Sequence, residues 1–203
     1  MCLMRFPLFY DALLLPFEYL LLGNWRRLLW QQVEGRYVLE VGAGTGINIP
    51  YYGSSQQVTL LEKNERFLEK ARRRIRKKEA QVKLVLGDVE NLPFSEQSFD
   101  VAVATFLFCS VENPEQGLKE IFRVLKPGGL LLLLEHVRSE KKLLGRFMEL
   151  LSLPLYKLAG ENIARETEKL VQEAGFVEET VHYLLHDVVR FVKARKVAVD
   201  SEG

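Results

Sequence analysis

The chain has 203 residues, of which 48% are hydrophobic and 27% charged, enough to bury the core of a single domain. Twenty-eight Lys and Arg against 27 Asp and Glu give a net charge of +1, which excludes a disordered chain, a collagen-like repeat and a bulk polycation. The two cysteines, Cys2 and Cys109, cannot form a disulfide framework, and no CxxC or Cys/His cluster indicates a metal site. This cysteine usage favours a reducing cytoplasm.

Residues 1–30 form the most apolar long segment of the sequence. Charged residues and prolines interrupt it, namely Arg5, Pro7, Asp11, Pro16 and Glu18. A membrane-spanning helix needs about 18 or more uncharged apolar residues in a row, and a secretory signal needs a different order of regions. Residues 1–35 are therefore interpreted as a helical segment with two alternatives. It packs against the main domain as a lid, or it lies on a membrane or over an apolar substrate.

The rest of the chain alternates predicted strands and helices. Apolar runs predict strands at residues 37–41, 58–62, 82–86, 99–105 and 130–135, followed by an antiparallel pair at 177–185 and 188–193. Helices are predicted after Asn64, from Pro114 to the stop signal at 126–129, and over 165–174 with Gly175 as C-cap. The pattern predicts one α/β domain over residues 36–196, with an open, mainly parallel sheet and a frayed tail at 197–203.

A glycine-rich turn follows the first predicted strand directly. Gly42, Gly44 and Gly46 let the backbone adopt positive φ and approach a ligand closely. In open α/β sheets, ligands bind beyond the carboxyl ends of the strands, where this turn lies. Its spacing is GxGxG after an acidic residue, Glu40, rather than the GxGxxG of a dinucleotide site. Taken alone, the turn is also compatible with a purely structural tight bend.

Acidic residues stand at the ends of three predicted strands. Glu62 ends the second strand, where a carboxylate can accept both hydroxyls of a ribose, although a solvated strand end is the simpler alternative. Asp88 follows the third strand, in a position to accept from an adenine amino group. Asp100 begins the fourth strand and is expected to cap backbone donors.

Four ordered motifs together are more specific than any one of them. They are VLEVGAGTG (38–46), LLEKN (60–64), GDVENLPFSEQSFDVAVATFLFCSV (87–111) and LKEIFRVLKPGG (118–129). Their order and spacing resemble those of class I S-adenosylmethionine-dependent methyltransferases. The resemblance implies a Rossmann-like seven-stranded sheet with an antiparallel C-terminal strand pair, helices on both faces, and S-adenosyl-L-methionine as cofactor.

The resemblance also implies a position for each part of the cofactor. The methionine end of the cofactor would lie on Glu40 and the glycine turn, and its ribose would bind Glu62. The adenine would lie between Lys63, Asp88 and Val89. The sulfonium would lie beside Thr105 and Phe106. The expected cofactor-binding residues are thus Glu40, Gly42, Ala43, Gly44, Gly46, Glu62, Lys63, Asp88, Val89, Thr105 and Phe106.

Shorter matches bear on the methyl acceptor. Residues 10–11, 48–52 and 135–137 are similar to bacterial phosphatidylethanolamine N-methyltransferases and to ubiquinone/menaquinone C-methyltransferases. Residues 107–111, 164–167 and 174–176 are similar to membrane-associated thiol methyltransferases. The expected acceptor is therefore lipophilic: a phospholipid amine, a quinone precursor or a thiol. The alternatives are a soluble small-molecule methyltransferase and a non-catalytic S-adenosylmethionine-binding scaffold.

Tyr10 and His136 are the candidate catalytic residues, with Glu135 beside them. His136 is the preferred base because imidazole titrates near neutral pH, and the alternative is a histidine that only binds a neighbouring loop. The apolar stretch 141–160 and the basic run 72–78 can be read as ordinary helix faces or as contacts to an acceptor and to anionic lipid. No nucleic-acid module is recognised, so no nucleic-acid partner is expected. The cysteine usage and the two apolar segments together predict a cytoplasmic enzyme that is peripheral on a membrane.

Overall fold

The computed structural model describes residues 22–75, 81–137, 167–185 and 187–197, with isolated positions between 139 and 150. Several predicted features lie outside this range. They are the candidate Tyr10, most of the apolar stretch 141–160, the end of the basic run at 76–78, and the tail from residue 198.

Seven strands form one sheet in the order β3-β2-β1-β4-β5-β7-β6. The strands are Tyr37–Val41 (β1), Gln57–Glu62 (β2), Gln81–Leu86 (β3), Phe99–Thr105 (β4), Leu125–His136 (β5), Phe176–Leu184 (β6) and Val189–Lys196 (β7). Strands β1 to β5 pair in parallel, whereas β7 runs antiparallel to both β5 and β6. The predicted fold class is confirmed. The strand order reverses between β1 and β4, which is where such sheets open a crevice for ligands.

Helices cover both faces of the sheet. They are Gly23–Gln31 (α1), Glu65–Ile75 (α2), Pro114–Val124 (α3) and Thr167–Glu173 (α4), with a short 3-10 helix at Ile49–Tyr51. Helices α1 and α2 pack in one apolar cluster with alternate residues of the central strands, and α3 and α4 pack in the other. Strand β5 contributes Leu130 to Leu134, all at most 3% exposed, because both of its faces are covered.

Local signals place the ends of helix α3. The Asn113 side chain accepts a hydrogen bond from the Gln116 backbone N–H at 3.1 Å and so caps the start of the helix predicted from Pro114. The Gln116 side chain does not close a capping box; it donates to the Glu90 carbonyl at 3.4 Å. The expected stop at 126–129 is displaced, because Leu125 already pairs with Phe99 and β5 runs through the glycines.

Asp100 has the structural role that the sequence predicts. One of its carboxylate oxygens accepts the backbone N–H groups of Arg36 and Tyr37, at 2.9 and 2.8 Å, and the other accepts from Lys126 at 2.6 Å. Burial alone would raise the pKa of Asp100, but the hydrogen bonds from Lys126 and the two amides outweigh it and lower the pKa. The carboxylate thus joins the start of β1 to β4 and β5.

The described part of the N-terminal segment is helix α1. Its residues Leu29 and Trp30 are buried against the sheet. The packing of residues 1–21, as a lid or on a membrane, stays a prediction, as does the division into segments at residues 35 and 196. Within the described ranges, we find no helix that combines the length and apolarity needed to cross a membrane.

Candidate active site

The glycine-rich turn takes the conformation that its sequence requires. Gly42, Gly44 and Gly46 have φ values of +64°, +56° and +77°, which favour glycine. A Cβ on Gly42 would lie 2.3 Å from Leu107 Cδ1, so the turn approaches the loop after β4 too closely for a side chain. The turn can therefore present its backbone amides to a ligand at the reversal point between β1 and β4.

A cleft of about 250 Å³ opens beside this turn. Seven predicted cofactor residues line it, namely Gly42, Gly44, Glu62, Lys63, Asp88, Val89 and Phe106. The lining also includes residues that the sequence did not single out for binding: Leu61, Asn64, Phe67, Gly87, Leu107, Ser110 and Val111. The other four predicted cofactor residues are buried and lie outside this lining, behind the cleft: Glu40, Ala43, Gly46 and Thr105.

Glu62 connects the glycine turn to the end of β2. Its Oε2 accepts the Gly44 backbone N–H at 2.9 Å, and its Oε1 accepts the Asn64 N–H at 2.8 Å. Burial raises the pKa of Glu62, and the two backbone amides oppose that rise. Each carboxylate oxygen has a second lone pair, so the group on the cleft wall can still accept hydroxyl donors.

Lys63 and Asp88 form an ion pair at the open side of the cleft. Lys63 Nζ lies 3.4 Å from Asp88 Oδ2, and the two side chains are 55% and 42% exposed. Asp88 Oδ1 also accepts the Glu90 backbone N–H at 3.1 Å. A pair as exposed as this contributes about 1 kcal/mol or less, so a ligand can separate the partners at little cost.

A buried polar network lies behind the turn. Glu40 is fully buried; it accepts a 2.6 Å hydrogen bond from Asn48 Nδ2 and another from the Tyr52 hydroxyl. Burial raises the pKa of Glu40 from 4.5 to about 7, against the lowering effects of Tyr52, Asn48 and Arg26. Asn48 Nδ2 also donates to Thr105 Oγ1 at 3.0 Å, which links β1 to the end of β4.

Arg26 is a member of this network that sequence reasoning missed. It is only 4% exposed and donates to Asn48 Oδ1 at 3.1 Å and to Thr105 Oγ1 at 2.9 Å. Its spacing from Leu29 and Trp30, at i+3 and i+4, puts it on the buried face of α1. That spacing is the one sequence signal that could have found it.

The rings of Phe106 and His136 lie in tilted contact, 32° between their planes, where β4 and β5 end. Their ring centroids are 4.6 Å apart, and Phe106 has a φ of +53°, an uncommon conformation for a residue with a side chain. Burial lowers the pKa of His136, so its imidazole is neutral at pH 7 and can accept a proton. Glu135 is directed elsewhere: its Oε1 accepts the backbone N–H groups of Leu107 and Phe108, at 2.9 and 3.2 Å.

Comparison with known proteins places this site in a family. A family profile described as a methyltransferase domain matches residues 39–133. Thiol S-methyltransferase TMT1B from human is 31% identical over an alignment of 190 residues. The alignment covers 88% of this chain and 78% of that protein. The chain belongs to the class I S-adenosylmethionine-dependent methyltransferases. The predicted resemblance and the predicted cofactor are thereby confirmed.

Other relatives of this methyltransferase differ in what their names say they act on. The rat TMT1B protein is 35% identical over 70% of this chain, and the chain spans about 60% of the length of that relative. A second relative is the ubiquinone/menaquinone biosynthesis C-methyltransferase UbiE of Azotobacter vinelandii, which is 34% identical. That match covers 66% of this chain and 56% of the length of UbiE. A solved SAM-dependent methyltransferase from Thermotoga maritima superposes with a TM-score of 0.71 at 27% identity, covering 95% of this chain and 97% of its own.

The cleft of this methyltransferase fits S-adenosylmethionine on its own chemistry. Among the described residues, a Cβ on Gly44 would have only Phe67 within 4 Å, so this part of the chain leaves room for a ligand against the backbone of the turn. The carboxylates of Glu62 and Asp88 stand along the same wall and can accept the ribose hydroxyls and the adenine amino group. Phe67 and Val89 supply apolar surface for a flat base.

Proposed function

We propose that this chain transfers the methyl group of S-adenosylmethionine to a lipophilic small-molecule acceptor, with a thiol as the acceptor it serves best. The observation that carries the proposal is the ring contact between Phe106 and His136, whose centroids are 4.6 Å apart. Phe106 lines the cofactor cleft, and His136 lies against it with a pKa lowered by burial. An apolar ring and a neutral base thus meet at the edge where an acceptor would approach.

A thiol suits this arrangement because it must lose a proton to become a strong nucleophile. When S-adenosylmethionine is bound, it supplies an electrophilic methyl group next to a sulfonium. The acceptor sulfur would take the methyl group and leave the cofactor as a neutral thioether, and His136 would accept the thiol proton. The names of the TMT1B relatives support this acceptor class.

A quinone precursor is the second candidate acceptor. The relative that supports it is the Azotobacter vinelandii C-methyltransferase, and methylation at a ring carbon also releases a proton that a neutral imidazole can accept. A phospholipid amine, work at a membrane surface and catalysis by Tyr10 stay predictions, because Tyr10 and most of the two apolar segments lie outside the described residues.

An acceptor screen with labelled S-adenosylmethionine tests the proposal. We would offer an alkyl thiol, a demethylated quinol, phosphatidylethanolamine vesicles and a polar amine to the full chain, with and without liposomes. Highest turnover is expected with the thiol. Turnover on the polar amine alone would favour a soluble metabolite enzyme instead. Tight cofactor binding with no turnover on any acceptor would show a non-catalytic scaffold.

The role of His136 has a matched control within the chain. His182 stacks on a phenylalanine, Phe191, at 5.7 Å, but it is exposed and lies on β6. We expect His136→Gln to lower kcat for a thiol by about 100-fold, the low end of general base catalysis, and to remove the acidic limb of the pH–rate profile. His182→Gln should leave both unchanged. An unchanged pH profile in His136→Gln would contradict the base role.

A further inference from the structure

Arg26 is a charged side chain buried in an otherwise apolar contact. Helix α1 packs on the sheet through Leu29 and Trp30, yet Arg26 on the same face is 4% exposed. Burying a guanidinium costs several kcal/mol unless hydrogen bonds and opposite charge compensate it. A Met or a Leu at this position would pack against the sheet equally well. Burial of apolar surface therefore does not explain why the residue is an arginine.

The contacts of Arg26 with Asn48, Thr105 and Phe106 lead to the cofactor side of the sheet. Its Nη1 donates to Asn48, in the segment that follows the glycine turn, and to Thr105, at the end of β4. Its guanidinium carbon lies 5.3 Å from the ring centre of Phe106, which lines the cleft. One planar group therefore touches the turn segment, the last residue of β4 and the aromatic residue beyond it.

A second set of bonds makes this arrangement rigid. Asn48 Nδ2 donates both to Thr105, at 3.0 Å, and to Glu40, at 2.6 Å. Arg26, Asn48 and Thr105 thus form a closed triangle of hydrogen bonds that Glu40 holds from β1. Loss of Arg26 would leave only the Asn48–Thr105 bond of this triangle, and would remove a cation that favours the ionised form of Glu40.

We propose that Arg26 is a positioning residue for S-adenosylmethionine: it fixes the distance between the segment after the glycine turn and the Thr105–Phe106 corner of β4, and so makes helix α1 part of the cofactor site. Part of the cleft lining follows β1 and part follows β4, and side chains link the ends of these two strands here. The proposal rests on the cleft being the cofactor site and is independent of the acceptor class.

Isothermal titration of S-adenosylmethionine into the full chain tests this role. Arg26→Met removes the charge and the donors while keeping an unbranched side chain, and Arg26→Lys keeps the charge without the planar fork. Arg27, the next residue and exposed, supplies the matched control Arg27→Met. We expect Arg26→Met to weaken binding by about tenfold or more, Arg26→Lys to restore part of the loss, and Arg27→Met to bind as the wild type does.

Kinetics and unfolding separate positioning from general stability. Arg26→Met should raise KM for S-adenosylmethionine by a larger factor than it lowers kcat, at a temperature where circular dichroism shows the variant folded. If Arg26→Met does not fold, the same comparison is made with Arg26→Lys, where a raised KM supports the proposal. A lower unfolding temperature with unchanged affinity would overturn it. Failure of the wild type to bind the cofactor would instead refute the site assignment itself.

Discussion

Glu40 should make the stability of the folded chain fall as pH rises toward neutrality. It is fully buried, and burial raises its pKa from 4.5 to about 7 although Tyr52, Asn48 and Arg26 act against that rise. A carboxyl group with a raised pKa binds its proton more tightly in the folded state than in the unfolded state. Its contribution to stability is therefore complete below pH 4.5 and is lost as pH rises through about 7.

The size of this effect follows from the shift. A rise from 4.5 to about 7 corresponds to about 3 kcal/mol, since each pKa unit represents about 1.4 kcal/mol. Glu40→Gln keeps the shape and an acceptor for Asn48 but cannot ionise. The difference in unfolding free energy between Glu40→Gln and the wild type should therefore grow by about 3 kcal/mol, in favour of the variant, between pH 4.5 and pH 8.

Urea unfolding of the cofactor-free protein measures this difference. Trp30 is a convenient fluorescence probe because its ring lies 4.5 Å from that of Tyr52 in the same network. The control is Glu65→Gln, at an exposed glutamate in the first turn of α2, which should follow the pH dependence of the wild type. If Glu40→Gln and the wild type change in parallel with pH, Glu40 is already ionised in the folded state. Hydrogen bonds and Arg26 would then outweigh burial.

Three further substitutions test the contacts that hold the strands and the glycine turn in place around the site. Asp100→Asn should lower the unfolding free energy by about 1–3 kcal/mol, because the carboxylate accepts two backbone amides and a lysine; urea unfolding at pH 7 measures it. Gly42→Ala should weaken S-adenosylmethionine binding by about tenfold in calorimetry, because its φ is +64° and a Cβ would meet Leu107. Arg74→Met should cost about 1 kcal/mol in thermal unfolding, since Arg74 donates to the Thr45 carbonyl and hydroxyl at 2.8 and 2.7 Å; an equal unfolding temperature would contradict that contact.

The fold could be predicted because its signals are local. A run of leucines at 130–134 predicts a strand covered on both faces, and Asn113 before Pro114 predicts the start of a helix. Asp100 could be assigned a structural role because it stands at a strand entrance, where backbone amides need an acceptor. The error at 126–129 has the same origin, since Pro and Gly mark the end of a helix but do not show that Leu125 already pairs with β4.

The buried network could not be predicted because its partners are distant in the sequence. Arg26 binds Thr105, 79 positions away, and nothing in the residues around Arg26 distinguishes it from its exposed neighbour Arg27 except the helical spacing to Leu29 and Trp30. Glu40 has nearer partners, Asn48 and Tyr52, 8 and 12 positions away, but the family resemblance assigns it to the methionine end of the cofactor. In the structure it faces Asn48 and Tyr52 behind the turn.

Phe106 connects the two halves of the site. Its ring centre lies 5.3 Å from the guanidinium carbon of Arg26 and 4.6 Å from the ring centre of His136. Under the proposed function, the cofactor side is anchored by α1 and the glycine turn, and the acceptor side begins at His136, the last residue of β5. A change in how α1 packs would therefore move Phe106 against the base as well as against the cofactor. For this reason the segment before β1 should influence acceptor choice as well as cofactor affinity.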